Sequence, residues 1–483
     1  MSERGHSLAT RTLRGMAWAY GAYVGGRMLV LVQTAILARL LTPSDFGVVA
    51  LALTFMVFLD AVKDLGLGQA LIIGEEHEAE ARAQTAFGWG VIIGLTLTLL
   101  TAAAGPLAAS FFHEPELKAM LPVLGATFLV RSLGATHYAL ARKQLDYRVR
   151  TFSEITEVVV RGVVGIGLAL GGAGAWSLAI GFLCGTVAST LTLWALVDFR
   201  PRAQLTRAHL KSMLAFGGML TLVDMGAVLA YNLDYLFIGR VLGSASLGYY
   251  SIAFRMPELI VLNLASVAGD VLFPAYAAVD KRRLREAYLV ALRYTAMLTL
   301  PIAAALIILA RPVIHVLFGD QWDSSVDVMQ VLTVYALCAT LAIPCGTVFK
   351  VTNRAWIMVA FTVPALVVLV ILLAFVTDEG IMAVAKATTA IQLVALPATA
   401  LIAARVLKLP LLRSLTPIVP SLFGALVMAA AMYPIEHFVS SPLLALVAGG
   451  LAGVAVYLGM LLLVARDDLR RLRAIAAPRL ATS

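Results

Sequence analysis

The chain has 483 residues, of which 61% are hydrophobic and only 13% charged, and its mean hydropathy is +0.91. Soluble domains carry roughly 25% charged residues, so the composition excludes one and requires an integral membrane protein. The formal net charge of +9 sits in short loops and does not point to nucleic acid.

Apolar runs of about 20 residues recur along the whole chain. They are long and apolar nearly all round, which fits helices and excludes the short alternating strands of an outer-membrane barrel. A window of about 19 residues predicts fourteen helices, near 13–38, 46–73, 83–112, 118–141, 152–172, 175–197, 211–240, 246–275, 285–310, 326–350, 355–376, 381–404, 414–434 and 442–465. The fold class expected is therefore an all-α polytopic membrane protein. The first segment contains Arg27 and lacks a small-residue cleavage site, so it is expected to remain as a transmembrane helix.

The first two helices meet at the turn Leu41-Thr42-Pro43-Ser44-Asp45-Phe46-Gly47. Arg27 lies inside the first, and Asp60, Lys63 and Asp64 lie inside the second. The latter three sit at i, i+3 and i+4, on one helical face where they can partly neutralise one another, as an ion-coupling site or as a structural pairing. The turn recurs: Arg39-Leu-Leu-Thr-Pro-Ser-Asp-Phe-Gly47-Val-Val-Ala is echoed by Arg240-Val-Leu-Gly-Ser-Ala-Ser-Leu-Gly248-Tyr-Tyr-Ser at an offset of 201. That offset equals a shift of six predicted helices, so the repeat is parallel, related by an axis along the membrane normal. The organisation expected is an N-terminal lobe over 1–200 (helices one to six), a C-terminal lobe over 201–410 (helices seven to twelve), and helices thirteen and fourteen with a basic tail over 411–483.

With the N-terminus inside, 26 of the 37 Lys and Arg residues fall in cytoplasmic segments, and only Arg39, Lys118, Arg240 and Arg311 fall outside. This positive-inside bias places both termini in the cytoplasm. The outer loops, such as 42–45, 112–117 and 171–174, are short and leave no room for a catalytic domain, so no enzyme is expected. The cysteines Cys184, Cys338 and Cys345 read as packing residues, and the seven histidines are scattered, so neither a metal site nor a cofactor is expected. Trp18, Trp176, Trp322 and Trp356 near helix ends are expected to form an interfacial belt.

A lone charge at the bilayer centre costs on the order of 2.5–3.5 kcal/mol on insertion scales, so such residues face a bundle interior or a wet cavity. The candidates for lining a substrate cavity are Arg27, Arg131, Arg161 and Arg255, with Asp224, Asn232 and Asp234 on the unusually polar seventh helix. The competing reading is local pairing: Glu157 with Arg161 at i, i+4, Arg255 with Glu258 at i, i+3, and Lys63 with its two aspartates. For Asn232 and its neighbours the competing reading is a helix–helix hydrogen bond.

The stretch Ala38-Arg-Leu-Leu-Thr-Pro-Ser-Asp-Phe-Gly-Val-Val-Ala50, followed by Asp64-Leu-Gly-Leu-Gly68, resembles the opening of lipopolysaccharide and exopolysaccharide flippases. These belong to the multidrug/oligosaccharidyl-lipid/polysaccharide exporter superfamily. Asn232-Leu-Asp-Tyr-Leu-Phe-Ile-Gly-Arg240, Leu247-Gly-Tyr-Tyr-Ser251 and Leu317-Phe-Gly-Asp-Gln-Trp322 extend the resemblance into the second half. The resemblance implies two six-helix lobes forming a V around a central cavity, with two extra C-terminal helices. It implies that a polyprenyl-diphosphate-linked oligosaccharide moves from the inner to the outer leaflet of the bacterial cytoplasmic (inner) membrane by alternating access, for lipopolysaccharide or exopolysaccharide biosynthesis. The partners it implies are that lipid-linked oligosaccharide and membrane lipids, with a glycan polymerase or glycosyltransferases as candidate protein partners and no nucleic acid. The alternative is a cation-coupled drug or small-molecule exporter of the same superfamily, for which Asp60, Asp64 or Asp224 would serve as the cation site.

Overall fold

The computed structural model describes residues 25–63, 79–144, 146–202, 228 and 231–464. Among these every regular element is helical, and ten stretches are long and apolar enough to cross a membrane. The chain forms two compact units, Met1–Gly248 and Tyr249–Ser483.

In the first unit α1 covers 25–40, α2 Pro43–Lys63, α3 Ala79–Phe112, α4 Leu117–Lys143, α5 Tyr147–Leu170, α6 Ala175–Leu196 and α7 231–241. The turn before α2 is a capping box. The Asp45 carboxylate accepts from the backbone N–H and the hydroxyl of Thr42 at 2.8 and 2.7 Å, while the Asp45 N–H donates to the Thr42 hydroxyl. Its other oxygen accepts from the Ala175 N–H at 2.9 Å, so the same carboxylate also secures the start of α6. The connector after α6 is held down by side chains from two helices. The Gln84 amide donates to the Arg200 carbonyl and accepts from the Arg202 N–H. His137 bonds the Phe199 carbonyl at 3.1 Å and stacks on Trp194 with ring centroids 4.9 Å apart.

The repeated turn meets its own copy. A side chain at Gly47 would collide with the Ser244 carbonyl, and one at Gly248 with the Pro43 carbonyl. Pro43 and Ser244, like Gly47 and Gly248, are related by the 201-residue offset, so the contact is reciprocal. The hydroxyls of Ser44 and Ser244 lie 2.9 Å apart across it.

The second unit contains the rest of α8 (Gly243–Met256), a π-helical turn (Pro257–Leu262), α9 (Asn263–Ala277), α10 (Lys281–Ile308), α11 (Ala310–Leu317), α12 (Val326–Val351), α13 (Trp356–Val376), α14 (Ile381–Val406), α15 (Leu411–Leu415), α16 (Val419–Phe438) and α17 (Pro442–Val464). The single helix expected over 246–275 is thus interrupted where Pro257, which has no backbone N–H, opens the wide turn. The helix expected to end at 310 breaks at Leu309, and α11 and a 3-10 turn over Asp320–Ser325 follow. That turn buries Trp322 completely, edge-on to Tyr249 at 5.8 Å, so this tryptophan belongs to the core and not to an interfacial belt. Trp356 is 67% exposed, as an interfacial position requires. The final pair of helices packs on this unit: α16 lies along α10, and the Tyr457 hydroxyl of α17 donates to the Met297 carbonyl at 2.7 Å. Cys338 and Cys345 are buried, with Cys345 Sγ 3.6 Å from the Tyr288 hydroxyl.

Gly47→Val is expected to destabilise the detergent-solubilised protein by at least about 2 kcal/mol, because a backbone carbonyl occupies the new side chain's space. Gly25→Ala, with nothing within 4 Å, is expected to leave the melting temperature unchanged. Asp280 caps α10 by accepting from Arg282 and Arg283 N–H groups, and the bond from Arg283 chiefly holds its carboxyl below the ordinary range. A depressed folded pKa contributes stability above the unfolded value and loses it as pH falls through the folded one. Asp280→Ala should therefore lower the melting temperature at pH 7, and the difference from wild type should vanish in acid below the carboxyl's folded pKa.

Candidate functional site

Arg131 is the fifteenth of the 27 residues of α4, which puts it about 20 Å from either helix end at 1.5 Å per residue. Facing it on α5 are Glu157 and, one turn later, Arg161. Arg131 Nη2 donates to Glu157 Oε1 at 3.2 Å. The two guanidinium groups share one aromatic ring: Arg131 lies 5.2 Å and Arg161 5.4 Å from the centroid of Phe182 on α6. From α1, Gln33, with its amide oriented to satisfy both neighbours, donates to the Val158 carbonyl and accepts from Arg161 Nε at 3.3 Å.

The α6 backbone can carry Phe182 to this place because glycines flank it. A Cβ at Gly181 would come within 2.9 Å of the Arg161 carbonyl, and one at Gly185 within 2.6 Å of the Glu157 carbonyl. The spacing Gly181-x-x-x-Gly185 is the small-residue pattern that lets membrane helices touch along their backbones. The cluster therefore includes Arg131, Arg161, Glu157 and the π-face of Phe182 at mid-helix. The side chains of Arg131 and Glu157 are 37% and 24% exposed.

The structure brings together Arg131 and Arg161 from the residues singled out in the sequence. The Glu157 carboxylate reaches across to α4, a partner that spacing along α5 does not reveal. Arg27 is half-buried on α1, six positions before Gln33, and Asp60 is half-buried on α2. The side chain of Lys63, together with Asp64 and Asp224, lies outside the described residues. Asn232 donates to the Val228 carbonyl of its own helix at 2.8 Å, and the Asp234 carboxylate accepts from the Tyr235 N–H. In the second unit Arg255 Nη1 meets Glu258 Oε2 at 3.3 Å, the i, i+3 pair expected from spacing, while Arg255 Nε is buried without a hydrogen-bond partner among the described residues. Sequence reasoning missed Gln33 and Phe182. The flanking Gly181 and Gly185 were the available signal for Phe182, whereas a glutamine in an apolar run carries none for its partner. On α5, Glu154 is tied to Tyr138 and Arg150.

Residues 36–327, more than half of the chain, match the family described as polysaccharide biosynthesis protein. The chain belongs to that family. The cluster of Arg131, Glu157, Arg161 and Phe182 lies within the matched region. Over 484 aligned residues the chain is 28% identical to the succinoglycan biosynthesis transport protein ExoT of Rhizobium meliloti (strain 1021), covering 98% of this chain and 97% of that one. It is 26% identical to the lipopolysaccharide biosynthesis protein WzxC of Escherichia coli (strain K12), covering 74% and 73%. It is 24% identical to the teichuronic acid biosynthesis protein TuaB of Bacillus subtilis (strain 168), covering 72% and 73%. Among solved structures it resembles the lipid II flippase MurJ in an inward closed conformation, with a TM-score of 0.75 and 16% identity over 94% of this chain and all of the other. An inward-facing multidrug resistance MATE family transporter of the MOP superfamily aligns with a TM-score of 0.62 and 18% identity, over 79% and 96%. These two likenesses show the fold that the chain shares with both proteins.

If Phe182 holds both guanidinium groups through its π-face, Phe182→Leu should lower stability by about 1–2 kcal/mol, two cation–π contacts at roughly 0.5–1 kcal/mol each. In an Arg131→Ala, Arg161→Ala background the same replacement should cost less, a difference that thermal melting of the four variants reads directly.

Proposed function

We propose that the chain is a flippase that carries a polyprenyl-diphosphate-linked oligosaccharide from the inner to the outer leaflet of the bacterial cytoplasmic membrane. The likeness to ExoT along nearly the whole of both chains carries this reading, since that relative is named as a transport protein of succinoglycan biosynthesis. WzxC and TuaB, named for biosynthesis of two further surface glycans, support the same substrate class. In this reading Arg131 and Arg161 meet the diphosphate, which suits the planar guanidinium fork. Arg27, Arg255, Asp224, Asn232 and Asp234 line the rest of the path, and Asp60, Lys63 and Asp64 act as a paired or ion-coupling group.

The helices through residue 200 and those of 201–410 form two homologous lobes that alternate access, with 411–483 as an addition to the second. Both termini are cytoplasmic, on the positive-inside count. A glycan polymerase or glycosyltransferase docks at the membrane face where the glycan is delivered or made.

The test is transport in proteoliposomes, following accessibility of a lipid-diphosphate oligosaccharide from the opposite leaflet. Protein-dependent movement is the expected result. Arg131→Ala and Arg161→Ala should each slow it by about tenfold or more, the equivalent of one charge-assisted contact, with the rate normalised to the folded protein in the liposomes. Efflux of a cationic dye with no movement of the glycan lipid would replace this reading with the drug exporter.

A further inference from the structure

Arg131 does not wait as an open cation. Its Nη2 already holds Glu157, an acid supplied by the neighbouring helix, on one edge of the fork that an arriving phosphate needs. The 3.2 Å separation is longer than the 2.7–2.9 Å of a strong charge-assisted bond, and only one nitrogen–oxygen contact is made. The partial exposure of both side chains leaves the pair open to competition from a ligand. A single long contact between partly exposed side chains is one that a more highly charged anion can displace.

We propose that Glu157 is a resident counter-anion, displaced from Arg131 by the headgroup phosphate on binding and returning to Arg131 to release it. The inference rests on the reading of Arg131 and Arg161 as headgroup residues. The displaced carboxylate leaves the edge of the Arg131 fork to a phosphate oxygen. Glu154, three positions before Glu157, is engaged by Tyr138 and Arg150 and stays apart from the exchange. The device also serves turnover: a transport site must bind strongly enough to load and weakly enough to empty, and a tethered carboxylate that reclaims Arg131 favours emptying.

The experiment measures binding of polyprenyl diphosphate and of polyprenyl monophosphate to the full chain in nanodiscs, alongside flipping rates in proteoliposomes. Glu157→Gln keeps the shape and removes the charge. It is expected to tighten diphosphate binding about three- to fivefold, the scale of a partly exposed ion pair, and to slow flipping. The tightening for the monophosphate should be smaller. In an Arg131→Ala background most of the effect should disappear. Equal or weaker diphosphate binding by Glu157→Gln, while Arg131→Ala weakens it, overturns the competition and leaves the arginine site standing. The same tightening with and without Arg131 also overturns it. If neither Arg131→Ala nor Arg161→Ala changes binding, the site reading itself fails and the inference falls with it. Should Glu157→Gln not fold, Glu157→Asp, whose shorter arm draws the carboxylate back from Arg131, must tighten binding in the same direction, and no tightening rejects the proposal.

Discussion

The constraint on which the first unit depends is the presence of two arginines in the middle of long helices. A bare guanidinium at that depth costs several kcal/mol, so each must be covered by something other than lipid. The cover comes from three other elements. Phe182 on α6 offers its ring to both arginines, Gln33 on α1 meets Arg161, and Glu157 on α5 meets Arg131. Satisfying the charges therefore fixes how α1, α4, α5 and α6 lie against one another. No single cover is strong. A ring contact above 5 Å and one 3.2 Å ion pair neutralise a cation without using up its donors.

The second constraint is close approach of backbones. In a bilayer, helices gain little from burying apolar surface against each other, and contact relies on packing and hydrogen bonds. Gly181 and Gly185 remove the side chains that would hold α6 away from α5, and the ring between them is delivered to the arginines as a result. At the repeated turn the same device works twice, with Gly47 receiving the backbone at Ser244 and Gly248 receiving that at Pro43. One sequence pattern, copied at an offset of 201, has become two halves of a reciprocal contact.

Much of this was legible beforehand. Helix type follows from apolar runs too long for strands. The capping box at Thr42 and Asp45 follows from residue type and a spacing of three. Arg255 and Glu258 pair as their i, i+3 spacing implies, because neighbours on one helix face are set by helical geometry. Where partners come from different helices, spacing says nothing. Glu157 lies four positions from Arg161 yet places its carboxylate on Arg131, 26 positions away in the chain. Asn232, readable as a contact between helices, turns to its own helix. Trp322 sits close to a helix end, where an interfacial position is the ordinary outcome, but a short 3-10 turn folds it into the core.

The sequence by itself determined the class, a many-helix membrane protein with charges at depth and a duplicated turn, because bilayer thickness, backbone hydrogen bonding and the cost of burying charge act on composition and spacing directly. The tertiary structure decided which of those charges meet. Residues on four helices meet in one cluster only after glycine contacts have set the distances between backbones, and those distances depend on all four segments at once.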